Sequence, residues 1–129
     1  LPGVDDDDVD AAIAAALGDL AEHVTIERLL SEAATASSTD TDLYRAIEAA
    51  LTKRYPGARV VPVLFPGGTD LRVARKRGGI GYGFGAVDSG ASLGQVYSQL
   101  HAHDEHIALA DVRATVEVLH EVATTYLGA

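Results

Sequence analysis

Residues 60–65, Val-Val-Pro-Val-Leu-Phe, constrain the fold of this chain more than any other segment. An apolar run without polar alternation is the pattern of a strand buried on both faces, and Pro62, which lacks an amide proton, places that strand near an edge or a bulge. Pro66-Gly67-Gly68-Thr69-Asp70 then turns the chain into a short helix running through Arg77, and residues 80–84 read as a second strand. Strand, helix and strand in this order predict a right-handed crossover between parallel neighbours and therefore an α/β fold.

The flanking segments carry their own signals. Asp5 to Asp8 precede an apolar-rich stretch at 9–17, and acidic residues at a helix N-terminus offset the positive end of its dipole. The aspartates read as capping rather than as a calcium loop, which needs spaced oxygen ligands and a distant glutamate. After Gly18, residues 23–29 alternate like a strand, with Val24, Ile26 and Arg28 on one face and Thr25, Glu27 and Leu29 on the other. His23 at its start reads as a surface residue. The small, polar run 33–39 looks like a linker and a domain boundary, dividing residues 1–34 from 35–129. A helix follows, capped by Asp40 or Thr41, with Leu43, Ile47, Ala50 and Leu51 facing inward until Pro56-Gly57 stops it. Leu109, Val112, Val116, Leu119, Ala123 and Tyr126 step by three and four residues and predict a terminal helix with this stripe in the core.

Composition excludes several functions. The chain has 129 residues, is 47% hydrophobic and 22% charged, and so is long enough and apolar enough for a packed core. A net charge of -9 argues against nucleic acid, which needs a basic face to neutralise phosphates. The one basic cluster, Arg72, Arg75, Lys76 and Arg77, reads as the last turn of a helix whose cations complement the dipole, rather than as an anion site. No apolar run approaches the roughly 20 residues of a membrane span, and no signal peptide is visible, so a cytoplasmic location is expected. With no cysteine, any metal must be held by His, Asp or Glu. The chain has no methionine and opens on Leu1-Pro2-Gly3, which reads as a piece of something larger.

Chemistry concentrates at Leu100-His101-Ala102-His103-Asp104-Glu105-His106-Ile107. Imidazole is the commonest zinc ligand, and nearby carboxylates fix a ring tautomer or complete a shell. A solvated polar turn before a helix accounts equally well for this run. The glycines at 78–85 do not have dinucleotide-loop spacing, Gly67-Gly68-Thr69 lacks the lysine of a phosphate loop, and no serine has a nucleophile-elbow context. At Gly67 to Thr69, two glycines, helix-starting N–H groups and a hydroxyl suit a carboxylate, although an ordinary strand-to-helix turn needs glycine too.

In order, three segments resemble the C-terminal part of the zinc aminoacylase, acetylornithine deacetylase and succinyl-diaminopimelate desuccinylase family, metallopeptidase family twenty. They are Leu1-Pro2-Gly3 with acidic residues following, Pro66-Gly67-Gly68-Thr69-Asp70-Leu71-Arg72 leading to Tyr82-Gly83-Phe84-Gly85, and His101-x-x-Asp104-Glu105. The resemblance implies a hydrolase that cleaves an amide next to a free carboxylate with two zinc ions. His101 would be its C-terminal zinc ligand, Gly68 and Thr69 the loop holding the substrate carboxylate, and Asp104 and Glu105 supporting residues. His103 and His106 fall where the family pattern is loose.

The resemblance also implies what is missing. The sequence has no His-x-Asp and no Glu-Glu pair, the motifs that carry the other ligands and the general base, so these residues alone are expected to be inert. Residues 1–34 would be the second half of a lid or dimerisation domain, and 35–129 the C-terminal part of a zinc-binding catalytic domain. The implied partners are a small carboxylate-bearing amide substrate, the N-terminal portion of the same protein and a second copy in a homodimer, with no nucleic acid and no membrane. Two rival readings remain: a non-catalytic acidic interaction module, and a small protein binding one metal through His101, His103 and His106.

Overall fold

The computed structural model describes residues 3–65 and 67–128. Leu1 and Pro2 of the opening motif, and Pro66 of the glycine turn, lie outside the described residues. In chain order the elements are α1 (Asp6–Leu17), a 3₁₀ helix (Gly18–His23), α2 (Asp42–Arg54), α3 (Leu71–Lys76), α4 (Leu93–Gln99) and α5 (Leu109–Leu127). They fall into two compact units, Leu1–Ser37 with Val63–Gly81, and Ser38–Pro62 with Tyr82–Ala129.

The first unit begins with a reciprocal cap. The Asp5 carboxylate accepts from the Asp8 N–H at 3.0 Å and the Asp8 carboxylate accepts from the Asp5 N–H at 3.1 Å, which satisfies two of the orphan donors at the start of α1. The helix ends at Gly18 with φ 53°. Polar contacts tie the unit together. Arg28 donates to Asp6 at 3.1 Å and to Asp10 at 2.5 Å, and Ser31 donates to Asp6 at 2.6 Å. Arg75 donates to the Gly81 carbonyl at 2.6 Å and to the Ser37 hydroxyl at 3.2 Å, which also accepts from the Gly81 N–H at 3.1 Å. Gly81 is buried, and a Cβ there would lie 2.7 Å from a Leu71 methyl, so a larger residue would require the Leu71 side chain to shift.

The helix α3 closes as its sequence predicts. Gly78, at φ 81°, donates to Arg75 at 3.0 Å and Gly79 donates to Ala74 at 2.9 Å, the paired bonds of a Schellman motif. Lys76 and Arg72 pair with Glu32 at 2.8 and 3.7 Å. Three of the four residues of the basic cluster are thus engaged inside the unit.

The second unit is built on α2 against α5. Thr41 caps α2 by accepting from the Tyr44 N–H at 3.1 Å. Ala46, Ile47 and Ala50 of α2 pack with Ala114, Val118 and Val122 of α5, and Ala86 joins them; Leu43, Leu51, Tyr55, Tyr82 and Phe84 lie around this cluster. Alanine at the contact positions lets two helices approach closely.

Two expectations from the sequence are not met. Among the described residues there is no strand: of the run 23–29, His23 ends the 3₁₀ helix and 24–29 carry no regular structure, nor do 60–65 and 80–84, so the α/β reading is not matched. Val63 is 67% exposed, and Ile26, Leu29, Val61, Leu64 and Phe65 are exposed too. The physical reason is that a strand is not a local element. Its N–H and C=O groups need a paired neighbour, and apolar patterning supplies no neighbour.

The stripe assigned to the core of α5 is the second correction. Leu109 is 74% exposed, and Val116, Leu119 and Tyr126 are exposed as well, whereas Asp111, Ala114, Val118 and Val122 are buried. The helix is apolar on two faces, and the face built of smaller side chains meets α2. The sequence reading also contains no helix at α4, although Ser92-x-x-Gln95 carries its signal: Ser92 accepts from the Gln95 N–H at 3.3 Å and the Gln95 side chain accepts from the Ser92 N–H at 2.7 Å.

Candidate functional site

His101 follows α4 in the second unit, in a turn where the Ala102 N–H donates to the Gln99 carbonyl at 3.0 Å. It has φ 60°, and among the described residues it is the one non-glycine in the left-handed region. Such a conformation is uncommon outside glycine and is held only where surrounding contacts fix it. The His101 N–H donates to Glu105 Oε2 at 3.2 Å, so the carboxylate four residues downstream grips the backbone of the histidine rather than its ring. His106 Nδ1 lies 2.6 Å from the Asp104 carbonyl oxygen. His101, His103, Asp104, Glu105 and His106 are all exposed.

Gly68 and Thr69 lie in the first unit, both exposed, immediately before α3. The Thr69 hydroxyl accepts from the Leu71 N–H at 3.4 Å and its carbonyl accepts from the Arg72 N–H at 3.1 Å, so Thr69 leads into the helix just ahead of its N-cap, Asp70. A Cβ at Gly68 would lie 3.7 Å from an Arg72 guanidinium nitrogen, which brings a cation to the glycine backbone.

A zinc centre needs three or four His, Asp or Glu donors about 2.0–2.2 Å from one point. Among the described residues no three such side chains are gathered to hold a metal ion. His101, His103 and His106 therefore do not make the three-histidine site of the rival reading. Spacing in the sequence alone does not reveal whether such side chains converge. The donors present do not amount to a zinc site by themselves.

The best-organised polar group was not singled out from the sequence. Asp111, 8% exposed, accepts from the Asp88 N–H, the Ser89 N–H and the Ser89 hydroxyl, each at 2.7 Å. These bonds hold its carboxyl below the usual aspartate range, the Ser89 hydroxyl contributing most and the Ser89 N–H next. Asp88 is likewise lowered, first by the Arg54 guanidinium and then by the Tyr55 hydroxyl, which donates at 2.7 Å. Arg54 is raised, chiefly by its bond to Asp88 and next by Glu117 at 2.6 Å. The sequence signal was an aspartate in step with Ala114, Val118 and Val122.

The model of peptidase family M20/M25/M40 matches residues 2–125. The chain therefore belongs to this family of peptidases. Comparison with curated proteins and with solved structures returns no match. No helix among the described residues is long and apolar enough to cross a membrane.

Proposed function

We propose that the chain is part of a zinc-dependent amidohydrolase of the aminoacylase and deacetylase type, hydrolysing the amide bond of N-acyl amino acids or small peptides with a free carboxylate. His101 is the metal ligand this chain contributes, Gly68 and Thr69 hold the substrate carboxylate, and Asp104 and Glu105 support the ligand loop. The observation that carries this reading is the left-handed backbone of His101, with its N–H bonded to Glu105. The residue in the family's ligand position is held in an unfavourable conformation by the residue in the family's supporting position. Zinc, when bound, would polarise the scissile carbonyl and acidify a water. Because the sequence has no His-x-Asp and no Glu-Glu pair, the other ligands and the general base would come from polypeptide other than residues 1–129. The same reading includes a homodimer.

Two measurements test it. Residues 1–129 alone, supplied with zinc and an N-acetyl amino acid, are expected to show no turnover; chelator-sensitive hydrolysis in a preparation free of longer enzyme would overturn this. In the protein that carries the remaining ligands, His101→Ala is expected to lower zinc stoichiometry, while His103→Ala and His106→Ala leave it intact. Full zinc in the His101 variant, with loss in the His103 variant, would move the ligand assignment.

A further inference from the structure

Residues 90–108 leave the α2/α5 pair as an excursion that carries α4 and the histidine turn. None of them is buried, and α4 packs on no other helix among the described residues. Apolar burial within the excursion is therefore slight, with Ala91, Val96 and Ala108 no more than half-buried. Its two ends, however, meet at one buried side chain. Asp111, just beyond one end, takes the backbone N–H groups of Asp88 and Ser89, just before the other, and the Ser89 hydroxyl. Ser89 then receives the Ala91 N–H at 3.4 Å, the first contact into the excursion. On the far side of the same stem, Asp88 is bound by Arg54 and Tyr55 of the α2 end, and Thr115 Oγ1 accepts from the Ala86 N–H at 3.1 Å.

We infer that Asp111 is a positioning residue, a clasp that joins both ends of residues 90–108 and thereby fixes the direction in which the His101 turn is presented. Three charge-assisted bonds to one buried carboxylate are stronger than neutral ones, and they close a long loop whose interior supplies little order of its own. The value of the clasp for catalysis rests on the assignment of His101 given above; the clasp itself does not.

Because the chain has no cysteine, spin labels can be placed at introduced cysteines without interference. One pair, Ser98→Cys on α4 with Glu48→Cys on α2, reports the excursion; a second, Glu48→Cys with Thr125→Cys, reports the helix pair. The 129-residue protein is expected to give a single narrow distance for each. Asp111→Ala is expected to lose the narrow distance of the first pair and keep that of the second. Asp111→Asn is expected to restore it, since its amide oxygen still accepts both N–H groups and its NH₂ can donate to Ser89. An unchanged first distance in Asp111→Ala overturns the proposal, as does loss of both distances together in a variant that folds. If Asp111→Ala does not fold, Ser89→Ala carries the test: broadening of the first pair alone supports the clasp, and no broadening, or broadening of both, refutes it. These outcomes hold whether or not His101 binds metal.

Discussion

In the unit that contains α2 and α5, Ile47, Ala50, Ala114, Val118 and Val122 are removed from solvent; in the unit that contains α1 and α3, no residue of any helix is. The first of these regions is stabilised by apolar burial, at about 25 cal/mol per Å². The second is tied by hydrogen bonds and exposed ion pairs such as Arg28 with Asp6 and Asp10, contacts that water and salt weaken. Two regions of similar helical character therefore differ in what their helices rest on. His101, the proposed metal ligand, lies in the packed unit, and Gly68 and Thr69, the proposed carboxylate loop, lie in the polar one.

The largest effect that can break this comparison is a cavity. Ile47 is 3% exposed, and Ile47→Ala is expected to cost about 2–5 kcal/mol, seen as a lower urea midpoint at constant slope. Leu20, 62% exposed in the 3₁₀ helix, should cost no more than about 0.5 kcal/mol when changed to alanine. Comparable losses at the two positions would mean that the polar unit has a core of its own.

Acid sharpens the contrast at an intermediate scale. Asp88 and Asp111 have native carboxyl values held below that of the unfolded chain, about 3.9. Their contribution is therefore fully present above about pH 4 and is lost as the pH falls through the lowered native values, because protonation removes the negative charge that strengthens the bonds from Arg54 and the Ser89 donors. Hydrogen exchange at residues 86–91 and the start of α5 is expected to accelerate below that point. Asp111→Asn should flatten the dependence, and an equally steep acid response in that variant would assign it to other carboxylates.

The smallest effect belongs to the exposed pairs. Arg28→Ala is expected to loosen residues 5–31 locally, with faster exchange in α1, and to leave the protection of α2 and α5 unchanged. High salt should mimic it in the unsubstituted protein, since exposed pairs are screened over a Debye length of roughly 3 Å at 1 M. A fall in α2 protection on replacing Arg28 would show that the two regions unfold as one.

The sequence by itself determined α1, α2, α3 and α5 and several of their ends, though not α4 or the 3₁₀ helix. The Asp5 cap with Asp8, the Thr41 cap of α2, the Gly78-Gly79 stop of α3 and the span of α5 are each written within a few residues, and local donors and acceptors satisfy them. The spacing of His101 and Glu105 was equally legible, and the structure joins the two through a backbone bond. Only the tertiary structure decided what faces what. Whether residues 60–65 pair, which of two apolar faces of α5 meets α2, and whether Asp111 is buried all depend on partners distant in the chain. Periodicity marks a face as apolar, but burial needs a second surface, and a strand needs a neighbour to bond its peptide groups. The local sequence names neither partner.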